Sequence, residues 1–170
     1  MMNLQIEMSR APMNRCRNEF VNPWLHREHL ADRVQEAVET ADWSQTGPLG
    51  MPFPKNERNA TFLAILTYCY ALGIYPTREI MEDLAREKGG AALVMAGING
   101  SCLRRFRRGF KPLLAQCLAV ALQAAAQLAE EHSQEGWMEP APTMSPETCA
   151  AEAERRIGLA VEWDSADLDE

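Results

Sequence analysis

Asn59-Ala60-Thr61-Phe62-Leu63-Ala64-Ile65-Leu66-Thr67-Tyr68-Cys69-Tyr70-Ala71-Leu72-Gly73 decides how this chain folds. Phe62, Ile65, Leu66, Cys69 and Leu72 recur at three- and four-residue intervals, which places them on one face of an α-helix. Gly73 supplies the residue at which such a helix commonly stops. Downstream, Tyr75-Pro76-Thr77 turns the chain into a second helix with Ile80, Met81 and Leu84 on its apolar face. Gly89-Gly90 interrupts, a short apolar helix follows over 91–96, and Gly97 to Gly100 forms another turn. Asn99 or Ser101 can cap a helix that carries Leu103, Phe106 and Phe110 inward. Pro112 then forces a break or a kink, because proline removes a backbone donor and restricts the residue before it. A long helix rich in Ala, Leu and Gln continues from Leu113 to about Glu131.

Upstream, Asn22-Pro23 reads as a helix start, with Leu30, Val34 and Val38 at helical spacing. No segment alternates apolar and polar residues over the length of a strand, so the expected fold is all-α. The expected organisation is a flexible arm over 1–21, a helix over 22–46, and a linker over 47–58. A helical domain with a helix-turn-helix-like arrangement follows over 59–131, then a linker over 132–145 and an acidic helix and tail over 146–170. Cys149, Ala153, Ile157 and Val161 form the expected apolar stripe of the last helix, and Asp164 to Glu170 reads as a frayed acidic end.

At 170 residues and 46% apolar, the chain suffices for one ordinary domain plus tails. Its five cysteines form no CxxC pair, which fits reduced thiols in a cytoplasm better than a disulfide framework or a zinc ribbon. No signal peptide is visible, and the longest apolar run, 113–129, is broken by Gln116, Gln123 and Gln127. A cytoplasmic protein without a membrane partner is expected. His26 and His29, with Cys16 upstream, lack a fourth ligand, so surface histidines are expected rather than a metal site, and no cofactor is implied. Ser101 has no nearby His to activate it as a nucleophile.

The net charge of −7 argues against a nucleic-acid partner until its distribution is considered. Residues 1–52 carry a net of −2, residues 53–127 a net of +5, and residues 128–170 a net of −10. Within the basic middle, Leu103-Arg104-Arg105-Phe106-Arg107-Arg108-Gly109-Phe110-Lys111 places five cations in eight positions, interleaved with apolar residues at helical spacing. Such a face calls for a counter-charge, and a phosphate backbone supplies one through the bidentate geometry of arginine. The plainer reading is a solvated helix paired with the acidic tail.

Two blocks add a family resemblance. The stretch 66–80, from Leu66 through Gly73-Ile74-Tyr75 to Arg78-Glu79-Ile80, resembles the opening of the N-terminal helical domain of bacterial insertion-sequence DDE-type transposases. Gly97-Ile98-Asn99-Gly100-Ser101-Cys102-Leu103-Arg104-Arg105-Phe106-Arg107-Arg108 resembles that family's later turn-Ser-x-Leu/Ile-x-Arg-Phe-Arg segment, although Asn99-Gly100 replaces its usual Asp-His. The resemblance covers roughly residues 55–131 and implies a helical domain used in binding element ends or in pairing subunits. It points to Arg78, Ser101, Arg104, Phe106, Arg107 and Arg108; the expected double-stranded-DNA contacts are Arg78, Ser101, Arg104, Arg105, Arg107, Arg108 and Lys111. Catalysis in that family needs three separated carboxylates on a ribonuclease-H-like sheet. Only 59 residues without a strand pattern follow Lys111, and Asp164, Asp167 and Asp169 are too closely spaced to serve, so no enzyme is expected. The alternative is a helical interaction or dimerisation module, in which the tail folds back and the arginines are internal counter-ions; its partners would be a second copy or a full-length transposase.

Overall fold

The computed structural model describes residues 27–45, 47, 50–134 and 144–168. Among the described residues seven helices run in the order α1 (Arg27–Thr40), α2 (Glu57–Ala71), α3 (Thr77–Arg86), α4 (Lys88–Met95), α5 (Gly100–Gly109), α6 (Lys111–Gln134) and α7 (Pro146–Leu168). No strand occurs among the described residues, so the fold is all-α. The expected arm over 1–21, the expected helix start at Asn22-Pro23 and His26 lie outside the described residues.

The expected central helix is the central helix of the structure. α2 is buried continuously from Thr61 to Ala71 except at Ala64, and packs against α1, α5 and α6. The Asn56 side chain caps its start by accepting from the Asn59 amide at 2.9 Å. At its end Gly73 adopts φ 80°, the Ile74 amide donates to the Cys69 carbonyl at 2.9 Å, and the Gly73 amide donates to Tyr70 at 3.2 Å. This pair of bonds is the Schellman motif, and only glycine takes that φ without strain. α4 ends the same way: Gly97 has φ 89°, and Ile98 and Gly97 donate to Leu93 and Val94 at 3.1 and 3.0 Å. Asn99 then caps α5 by accepting from the Cys102 amide at 3.0 Å. Helix, four-residue turn and helix therefore follow one another over 88–109.

Pro112 sits in the first turn of α6, where its missing N–H is not needed, and the chain bends by 93° between α5 and α6. The inside of this corner is aromatic. Phe110 stacks on Phe106 at 4.2 Å between ring centroids and on Phe53 at 4.7 Å, while Phe106 meets Phe62 at 5.4 Å. The segment expected as a linker over 47–58 is thus part of the packing. Phe53 is buried in it, and its last two residues already belong to α2.

Gly90, in α4, lies against α3. A Cβ there would stand 2.1 Å from the Leu84 carbonyl oxygen and 2.7 Å from its carbon, both backbone atoms that cannot swing aside. In an open helix Gly→Ala gains about 1 kcal/mol. Overpacking of this kind costs about 1–3 kcal/mol, so it reverses the sign. Gly90→Ala is expected to lower the urea midpoint, and an unchanged or raised midpoint would contradict this packing.

α7 differs most from expectation. The helix is as expected, but its end, expected to fray from Asp164, stays helical through Leu168, and it packs more extensively against α6 than any other pair of described helices packs together. Its buried stripe is Cys149, Ala153, Ile157 and Ala160, while Val161 is 47% exposed. Steps of four, four and three residues follow the 3.6-residue turn, whereas a third step of four drifts off the face. Asp164, the next step of four, is buried as well.

Candidate nucleic-acid interface

α5 sorts its residues into an inner and an outer face. Leu103 and Phe106 point into the core, while Ser101, Arg105 and Arg108 are exposed and Arg104 is half-buried. Positions 101, 104, 105 and 108 fall on one side of a 3.6-residue helix, so three arginines and a serine share the outer face. Arg104 donates to the Ser101 hydroxyl at 3.4 Å. No carboxylate among the described residues lies within 4.0 Å of Arg104, Arg105 or Arg108. Arg78, in the first turn of α3, is exposed and only loosely paired with Glu82 at 4.0 Å.

Two expected contacts lie elsewhere. Lys111 pairs with Glu154 of α7 at 3.1 Å, with both side chains more than half exposed, so the pair is weak and screened. Arg107 turns inward. Its Nη1 donates to Asp164 Oδ2 at 2.7 Å, to the Tyr70 hydroxyl at 3.2 Å and to the Ala160 carbonyl at 3.3 Å. The side chains of Arg107 and Asp164 are 8% and 4% exposed, so Arg107 turns toward the protein and its Nη1 is committed there. Burial works against its charge, but Tyr70 and Asp164 outweigh burial and hold it above the ordinary arginine value. Burial pushes the Tyr70 hydroxyl up to about 12, so it stays neutral and accepts from Arg107.

The reason for the inward turn lies in α7. α3 begins at Pro76 with no side-chain cap of its own. Asp164 supplies one from 87 residues away, accepting from the Thr77 amide at 2.8 Å and its hydroxyl at 2.5 Å. A carboxylate at a helix N-terminus is favoured by the dipole and satisfies free amides, and here it also neutralises Arg107. Two turns earlier on the same face, Arg156 is fully buried and donates to the carbonyls of Tyr70 and Ala71, both at 2.8 Å, at the C-terminus of α2. Its Nε also donates to Glu152 Oε1 at 2.7 Å. The Glu152 carboxyl is held below the usual range by its hydrogen bond from Arg155, against its own desolvation and with help from Arg156. α7 thus grips the turn between α2 and α3 with a cation on one side and an anion on the other.

Sequence reading found neither Arg156 nor Asp164 as structural groups. The available signal was a pair of opposite charges lying within the apolar stripe of α7, and charges are rarely buried unless paired. A second signal was a helix start at Pro76-Thr77 without a side-chain acceptor.

Among the described residues no three His, Cys, Asp or Glu side chains are grouped to hold a metal ion, and no single helix is long and apolar enough to cross a membrane. Comparison with protein-family models, with curated proteins and with solved structures gave no match.

Proposed function

We propose that this chain is a non-catalytic double-stranded-DNA-binding protein related to the N-terminal region of insertion-sequence transposases. The observation that carries the reading is the outer face of α5. Ser101, Arg104, Arg105 and Arg108 stand together there after a capped turn, with no carboxylate in range among the described residues. The remaining cations of the segment, Arg107 and Lys111, have internal partners, so the exposed charge is concentrated rather than diffuse. The non-catalytic part of the proposal is supported by Asp164, whose two carboxylate oxygens are already committed to Thr77 and Arg107.

Each phosphate contact contributes about −0.9 to the logarithmic salt slope, so three phosphate-bound arginines alone give a slope of about −2.7 and a loss of about 40-fold between 50 and 200 mM salt, and any further contact steepens it. Fluorescence anisotropy with a labelled duplex of mixed sequence measures this directly. Replacing Arg104, Arg105 and Arg108 together with alanine is expected to flatten the slope and weaken binding at least tenfold at 50 mM salt. Arg33→Ala, on the exposed side of α1 and paired with Glu36, is expected to change affinity less than twofold. No binding by the parent at 50 mM salt would refute the proposal.

A second reading, a helical interaction module, is favoured by Trp163 and Val161, which stand 49% and 47% exposed on α7. Its partner would be a second copy or a full-length transposase. A monomer at all concentrations in sedimentation, with steep salt-dependent DNA binding, would remove the support for self-association.

A further inference from the structure

α5 does not stand alone on the basic surface. On one flank, Arg58 of α2 places Nη2 at 3.8 Å from Cys102 Sγ, while its guanidinium carbon lies 5.5 Å from the centre of the Phe62 ring. On the other flank, a Cβ at Gly100 would stand 3.0 Å from Thr77 Cγ2 and 3.5 Å from Arg104 Nη1, so the first turn of α3 abuts α5 there. Arg78 is the next residue, and its side chain is 70% exposed. At about 100° per residue, Gly100 and Cys102 lie on opposite sides of α5 with Ser101 between them.

The helix starts that carry Arg58 and Arg78 therefore flank α5 on its two sides, next to the face that carries Ser101, Arg104, Arg105 and Arg108. A helix with side chains is about 10–12 Å across, and the major groove of B-form DNA is about 12 Å wide. From this match, and resting on the DNA-binding reading above, we infer that α5 lies in the major groove, with Arg58 and Arg78 contacting the phosphates of the two opposite strands. Arg58 is preset for this task, because Phe62 and Cys102 hold its guanidinium beside α5 and no carboxylate among the described residues pairs with it. Arg78 is released from Glu82 at little cost, since an exposed pair at 4.0 Å is weak. Glu57 stands beside Arg58 in the first turn of α2, and Glu79 and Glu82 stand near Arg78 on α3.

The test uses the full-length chain and three kinds of duplex. Arg58→Ala and Arg78→Ala are each expected to reduce the salt slope by about 0.9, equally for duplexes of different sequence, because phosphate contacts position the protein without reading bases. Arg58→Lys keeps the charge and is expected to keep the slope. A duplex whose cytosines carry bulky glucosyl groups in the major groove is expected to bind at least tenfold more weakly, while a minor-groove-filling ligand does not compete. An A-form RNA duplex, whose deep, narrow major groove does not admit a helix, is also expected to bind at least tenfold more weakly. Parent binding that is steeply salt-dependent, with slopes unchanged in both flank variants, overturns this docking mode and leaves the DNA-binding reading standing. Displacement by the minor-groove ligand, or equal binding of the RNA duplex, overturns it likewise. No DNA binding by the parent at 50 mM salt overturns both.

Discussion

Asp164→Asn is expected to cost about 3–5 kcal/mol of unfolding free energy, the range found when one partner of a buried ion pair is removed. The side chain keeps its shape and an oxygen for the Thr77 amide, but Arg107 is left charged, nearly enclosed, and with only Tyr70 and Ala160 to receive its donors. Asp164→Ala also removes the cap of α3 and is expected to cost roughly 1 kcal/mol more. Small domains have about 5–15 kcal/mol in total, so either variant brings the chain close to the unfolding threshold. Urea unfolding followed by far-UV circular dichroism measures the loss. Pairing Arg107→Met with Asp164→Leu is expected to recover much of it, because apolar groups of similar volume often replace a buried pair without net cost. A loss under 1 kcal/mol for Asp164→Asn would show that the contact between α7, α3 and α5 is not formed in solution.

Arg156→Met is the second large effect, again about 3–5 kcal/mol. Methionine fills most of the space but cannot donate. The substitution therefore strips the Tyr70 and Ala71 carbonyls of their shared guanidinium donor and leaves Glu152 with Arg155 alone. Arg156→Lys restores the charge without the planar fork that serves two carbonyls and a carboxylate together, so it is expected to recover only part of the loss. Urea midpoints of the two variants check this. A lysine variant as stable as the parent would mean that charge alone, and not the fork geometry, holds α2 to α7.

These two residues change what truncation can reveal. Removing 132–170 would ask whether an acidic tail masks a basic helix. In the structure the same cut removes Arg156, Asp164 and the buried stripe Cys149, Ala153, Ile157 and Ala160. A truncated chain would lose its core packing along with any masking, so point substitutions on α5 are the cleaner probe.

Much of the fold was legible along the chain because its signals are local. The period of Phe62, Ile65, Leu66 and Cys69 announced α2; Gly73 and Gly97 marked two helix ends by the φ they adopt; and Asn99 and Pro112 marked two starts. Of the candidate interface, Arg104, Arg105 and Arg108 with Ser101 were placed together on the outer face of one helix, as spacing allowed. Arg107 was not separable from them by spacing. It lies at the edge of the apolar face, about 100° from Phe106, where a side chain can turn either way.

The sequence by itself determined that this is an all-α protein, where most of its helices begin and end, and that its cations crowd one short segment. Each of these depends on neighbours within a turn or two, so each is written in local spacing. Tertiary structure alone decided which arginine turns inward, what caps α3, and that the acidic C-terminal helix is core rather than tail. Those outcomes depend on groups 57 to 87 residues apart meeting in a place shielded from water. There an unpaired charge is costly and a paired one can be held, and no one-dimensional pattern records which partner will arrive.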